Sequence, residues 1–150
     1  MTEPQRNAFS HSWGKYGLDL NDGLRDLATE FGRPADTVFE IGFGMGDSLL
    51  QMCINEPEKN FVGVEVHPPG VGRLINEAGK VGIRNLRVYM ADASDVLNEC
   101  MADSSLTRIQ IYFPDPWPKK KHHKRRIVQA PLLELCSNCL LYTSPSPRDS

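Results

Sequence analysis

From Thr37 onward, short apolar runs alternate with stretches of helical apolar spacing, and this rhythm constrains the fold more than anything else in the chain. Thr37–Phe43 and Asn60–Val66 read as buried strands, and Leu86–Met90 and Arg108–Phe113 as a third and a fourth strand. Asp47–Ile54, Val71–Val81 and Ser94–Met101 read as the helices between them, the first stopped at Pro57 and the last capped by Ser94. A fourth helix is expected from about His123 to Leu141. Strands separated by helices pair in parallel through right-handed crossovers, which makes the class α/β.

Residues 1–36 are mixed and polar, punctuated by Phe9, Trp13 and Tyr16, with a helix expected over Gly23–Phe31 and ended by Gly32-Arg33-Pro34. Residues 37–141 form the domain proper, and 142–150 are a Ser/Pro string that cannot join a core. That string starts where a doubly wound sheet needs its next strand, so it is expected to be foreign to the natural protein. No apolar run approaches the roughly 20 residues of a membrane span and no signal-peptide core opens the chain, which points to the cytoplasm. Cys53 and Cys100 then read as reduced core thiols.

Glu40-Ile41-Gly42-Phe43-Gly44-Met45-Gly46 closes the first strand and opens the first helix. Alternate glycines allow a tight turn and a ligand pressed against bare backbone. The register is not that of a dinucleotide fingerprint, and acids at 40 and 47 disfavour a pyrophosphate. A ligand bearing a sulfonium and an ammonium would instead welcome Glu40. Glu65 ends the second strand, suited to ribose hydroxyls, and Asp92 follows the third, suited to an adenine amino group. Three carboxylates at successive strand ends with such a loop point to an S-adenosylmethionine pocket, contacted by Glu40, Gly42, Gly44, Gly46, Glu65 and Asp92. The helix macrodipole alone accounts for part of the pattern at Asp47, Asp92 and Asp95.

Phe113-Pro114-Asp115-Pro116-Trp117-Pro118 runs directly into Lys119-Lys120-Lys121-His122-His123-Lys124-Arg125-Arg126. The chain is formally −2, whereas residues 119–126 carry +6, so the remainder sums to −8. A basic arm on an acidic body points to a docked polyanion, nucleic acid first. The prolines restrain the loop that holds Asp115, and Trp117 either stacks on a base or packs inward. Lys80, Arg84 and Arg87 read as solvated surface. His122 and His123 with the Cys136-x-x-Cys139 pair lack a matched ligand set, so no metal is assigned.

Phe39–Gly46, Gly63–Gly72, Phe113–Trp117 and Lys124–Gln129, in this order and spacing, resemble the bacterial tRNA (guanine-N7-)-methyltransferases over residues 37–141, with a weaker echo from Gln5 to Gly17. The resemblance implies a Rossmann-like class I S-adenosylmethionine-dependent methyltransferase fold that methylates N7 of the guanosine at position 46 of the tRNA variable loop. Position by position it implies cofactor contacts at Glu40, Glu65 and Asp92, and a catalytic, cofactor-touching Asp115. It implies substrate contacts at Lys119 and across 121–126, that is Lys121, His122, His123, Lys124, Arg125 and Arg126. By the same analogy the strands run 3-2-1-4 and then continue, so the sheet is expected to be incomplete at its C-terminal side, with an unprotected edge and marginal stability. Two alternatives stay open: a class I methyltransferase with another RNA or amino target, and an inactive RNA-binding fragment. Oligomeric state is not readable from the sequence.

Overall fold

The computed structural model describes residues 2–112 and 130–141. Five strands form one parallel sheet: β1 (Gly17–Leu18), β2 (Thr37–Ile41), β3 (Asn60–Val64), β4 (Leu86–Tyr89) and β5 (Arg108–Ile111), in the order β1-β4-β3-β2-β5. The helices are α1 (Glu3–Tyr16), α2 (Leu27–Phe31), α3 (Asp47–Asn55), α4 (Pro68–Val81), α5 (Ala93–Glu99) and α6 (Ala130–Cys139), with a 3₁₀ turn at Leu20–Asp22. The four expected strands therefore run 3-2-1-4, and β1 adds a short strand outside the third.

Alternation along the strands sorts the core into two layers. Val38, Phe61, Leu86 and Val88 pack beneath α1, α3 and α4 with Phe43, Leu49, Leu74 and Ile75. Phe39, Val62, Val64 and Tyr89 pack on the other face with Leu27, Val96, Leu97 and Leu132. Burial on both faces is why β2 and β3 read as mainly apolar runs rather than as alternating ones, with Glu40 the acid that interrupts β2. Each such side chain contributes about 1.5–3 kcal/mol.

The N-terminal segment departs most from expectation. Residues 3–16, read as merely mixed and polar, form a helix started by a capping box in which Thr2 accepts from the Gln5 backbone N–H and the Gln5 side chain accepts from that of Thr2. Conversely, the helix expected over Gly23–Phe31 occupies only Leu27–Phe31, because Arg25 instead bridges to Met101 and Leu24 lies exposed. Arg87 is not solvated surface: its Nε reaches Glu30 at 3.0 Å and its guanidinium lies 4.8 Å from the Phe31 ring centre, clamping α2 to β4. The cap of α5 is Asp92, not Ser94; its Oδ1 accepts from the Ser94 N–H at 2.8 Å. Phe113 to Gln129, including the first part of the fourth expected helix, and the 142–150 tail lie outside the described residues. No helix among the described residues is long and apolar enough to cross a membrane.

Candidate functional site

In a parallel sheet every strand points the same way, so the segments leaving β2, β3, β4 and β5 all emerge at one edge. The chain order reverses between β2, which has β3 and β4 on one side, and β5 on the other; ligands of open α/β sheets bind at such a reversal. The turn leaving β2 is pinned by the Gly42 N–H to the Val64 carbonyl at 2.8 Å and by the Gly46 N–H to the Phe43 carbonyl at 3.1 Å. Gly42 and Gly44 have φ of +70° and +66°, a conformation that side chains disfavour. Phe43 between them is buried among Leu49, Phe61 and Leu74, which anchors the turn and leaves Gly42 and Gly44 half-exposed. A Cβ on Gly42 would meet nothing within 4 Å, so its exposed face is open space. Gly46 serves packing: a Cβ there would fall 2.7 Å from that of Leu74.

Glu40 lies within β2 and is 2% exposed. One carboxylate oxygen accepts from the Gln110 side chain, directly opposite it in the β2–β5 register. The other, Oε2, has no hydrogen-bond partner among the described residues. Burial raises the carboxyl above its ordinary range, countered by the Gln110 hydrogen bond and the Arg108 charge. A buried acceptor left unmatched is costly, and a cationic donor is what would match it.

Glu65 begins the segment after β3. Its Oε1 accepts from the Gly44 N–H at 2.7 Å, and its Oε2 accepts from those of Val66 at 3.1 Å and His67 at 3.0 Å. The side chain expected to meet a ribose thus also ties the glycine turn to the start of α4. Asp92, three residues beyond β4, is exposed and caps α5. Glu40, Gly42, Gly44, Gly46, Glu65 and Asp92 accordingly sit at the ends of three adjacent strands. Asp115, Lys119, Lys121, His122, His123, Lys124, Arg125 and Arg126 lie outside the described residues, although β5 delivers the chain to this same edge just before them.

The orphaned oxygen of Glu40 and the bare turn fit S-adenosylmethionine. Glu40 would take its ammonium, Glu65 its ribose hydroxyls and Asp92 its adenine amino group. Three supporting residues escaped the sequence reading. Gln110 stood out only as a polar residue inside an apolar strand. Gly70 lets α4 meet the turn: a Cβ on it would lie 1.9 Å from the Gly44 carbonyl oxygen. Tyr112 lies flush on the turn, its ring 3.2 Å from where a Gly44 Cβ would stand. Away from this edge, burial and the neighbouring Cys139 push the Cys136 thiol up to about 11, which keeps it protonated.

A family model described as "Putative methyltransferase" matches residues 34–143. The tRNA (guanine-N(7)-)-methyltransferase of Saccharophagus degradans is 61% identical over 134 residues, covering 89% of this chain and 58% of that protein. That of Shewanella oneidensis is 56% identical over 135 residues, covering 90% and 57%. The chain thus spans rather less than two thirds of the length of these relatives. Among solved structures, a SAM-dependent methyltransferase from Aquifex aeolicus superposes with a TM-score of 0.52 at 18% identity, covering 91% of this chain and 65% of that one. Geranyl diphosphate C-methyltransferase from Streptomyces coelicolor, solved with S-adenosyl-L-homocysteine, gives 0.54 at 14%, covering 91% and 39%. At such identities the likeness speaks for the fold alone, the class I methyltransferase architecture.

Proposed function

This chain belongs to the tRNA (guanine-N7-)-methyltransferase family, and from that premise we propose that it transfers a methyl group from S-adenosylmethionine to N7 of guanosine 46 in the tRNA variable loop. The observation that carries the cofactor half is Glu40, a buried carboxylate with one unmatched oxygen beside a glycine turn open to a ligand. The names of the relatives support the target. A tRNA substrate also assigns the protein to the cytoplasm.

When bound, S-adenosylmethionine would supply an electrophilic methyl to the N7 lone pair, with the electron pair of the broken C–S bond left on sulfur. N7 needs no deprotonation, so the protein's task is alignment and stabilisation of a positive charge that passes to the purine. Asp115 is assigned that second role, with its carboxylate also accepting from guanine N1–H and the exocyclic amine. Lys119 and residues 121–126 are assigned the phosphates.

The test is to incubate the chain with unmodified tRNA transcript and methyl donor, then map the methylated atom by mass spectrometry. One N7-methylguanosine per tRNA is expected, with Asp115→Ala lowering kcat by roughly 10²-fold, more than it weakens cofactor binding. Methyl on another atom would move the assignment to a different class I target. Binding of both ligands without turnover would favour an RNA-binding role.

A further inference from the structure

The outer side of the α1–α4 pair carries a furrow that the proposed chemistry leaves unused. Two adjoining cavities of about 680 and 280 Å³ share Ala8, Ser12 and Asn76 and run along both helices. Phe9 packs at Gly72, while the Tyr16 hydroxyl bonds the Ala78 carbonyl at 3.1 Å, so α1 and α4 run in the same direction. Because α4 starts just after Glu65, the first turns of α1 lie at the ligand edge of the sheet. There Pro68, Pro69 and Met90, the residue after β4, line the upper end of the furrow. From Gln5 to Lys15 it spans about 15 Å.

The wall of its upper part is largely apolar, from Phe9, Pro68, Pro69 and Met90, but its polar groups are one-sided. Gln5, Ser12 and Asn76 offer amide and hydroxyl donors, and Lys15, Arg73 and Lys80 offer cations. No carboxylate lines it among the described residues. On α1 and α4 together, Arg6, Lys15, Arg73 and Lys80 outnumber Glu3 and Glu77, on a chain that is −2 as a whole. Arg73 reaches Asp47 at 3.2 Å and Lys80 reaches Glu77 at 3.4 Å, but such exposed pairs are weak and give way to phosphate. Two small residues along the furrow, Ala8 and the exposed Gly79, let a strand come close to the helix backbones. Lysine, arginine, serine, asparagine and glutamine are the side chains that contact nucleic-acid backbones.

We propose that this furrow holds the RNA backbone where it approaches the ligand edge, as a phosphate-gripping surface in addition to the one assigned to residues 119–126. The inference rests on the RNA-substrate reading above. Its test is the affinity of the chain for unmodified tRNA transcript, measured across a salt series. Ser12→Glu combined with Asn76→Glu should weaken Kd at least tenfold, and the exposed Lys15→Ala should lower the log–log salt slope by about one unit. Both variants should keep the wild-type melting shift with S-adenosylmethionine. An unchanged Kd and slope in variants that keep that shift would overturn the furrow while leaving the proposed function standing. If the wild type took up the cofactor but bound no tRNA, the RNA-substrate reading itself would fall, and the furrow with it.

Discussion

Glu40 shows how a single residue can be set against the fold for the sake of a ligand. Its folded carboxyl value is raised, chiefly by burial. A raised acid favours the fold below its ordinary value of 4.5 and loses that contribution as pH climbs through the raised value. Above the raised value the ligand-free protein bears a charge that burial disfavours, which a ligand ammonium would relieve. Glu40→Gln should melt at or above the wild-type temperature near neutrality, with a shallower decline as pH rises from 4.5, yet lose most of the S-adenosylmethionine shift. Melts over a pH series with and without cofactor read both effects. A less stable Glu40→Gln at neutral pH would mean that Gln110 and Arg108 already hold the carboxylate comfortably. The acid itself was legible in the sequence because it interrupts an apolar strand. That one of its oxygens lacks a partner was not, since this depends on which side chain β5 sets opposite it.

At the scale of elements, the site is a junction between the β2–α3 turn and the start of α4. Gly70 makes the junction possible, and Gly70→Ala forces the first turn of α4 away from the Gly44 carbonyl. Overpacking of this kind costs about 1–3 kcal/mol. Chemical denaturation should show that loss, accompanied by a weakened cofactor shift, because Glu65 bonds both sides of the same junction. The glycine turn and the strands were readable because apolar runs and glycine spacing are local signals. Gly70 was hidden in a helix start, where glycine carries no distinctive pattern. The helix over residues 3–16 was missed although Thr2-Glu3-Pro4-Gln5 holds a capping box, because only Phe9, Trp13 and Tyr16 mark its buried side and that stripe is too sparse for a periodicity reading. β1 is two residues long and carries no period at all.

The whole molecule is joined by contacts between distant parts of the chain. Tyr16, fully buried, holds its hydroxyl 2.7 Å from the Ile83 carbonyl and 3.1 Å from the Ala78 carbonyl, which share its one proton and fasten α1 to the C-terminal end of α4. Tyr16→Phe keeps the ring but leaves those carbonyls without this donor, which should cost about 1–2 kcal/mol in denaturant titrations without changing the m-value. An unchanged midpoint would mean that the packing of Phe9 and Trp13 holds α1 without those bonds. The 3-2-1-4 order could be expected from the helix–strand rhythm together with the family resemblance, whereas the seat of the N-terminal segment could not, since its partners lie some seventy residues downstream. β1 pairs Gly17 with Val88 and Leu18 with Tyr89, and neither partner exists until the ribosome has passed β4. At about 5–20 residues per second, the first-made part of the domain waits for seconds with Phe9, Trp13 and Tyr16 unsheltered. This early segment is thus seated only after β4 is made, and nascent-chain crosslinking should find it in the hands of chaperones during that interval.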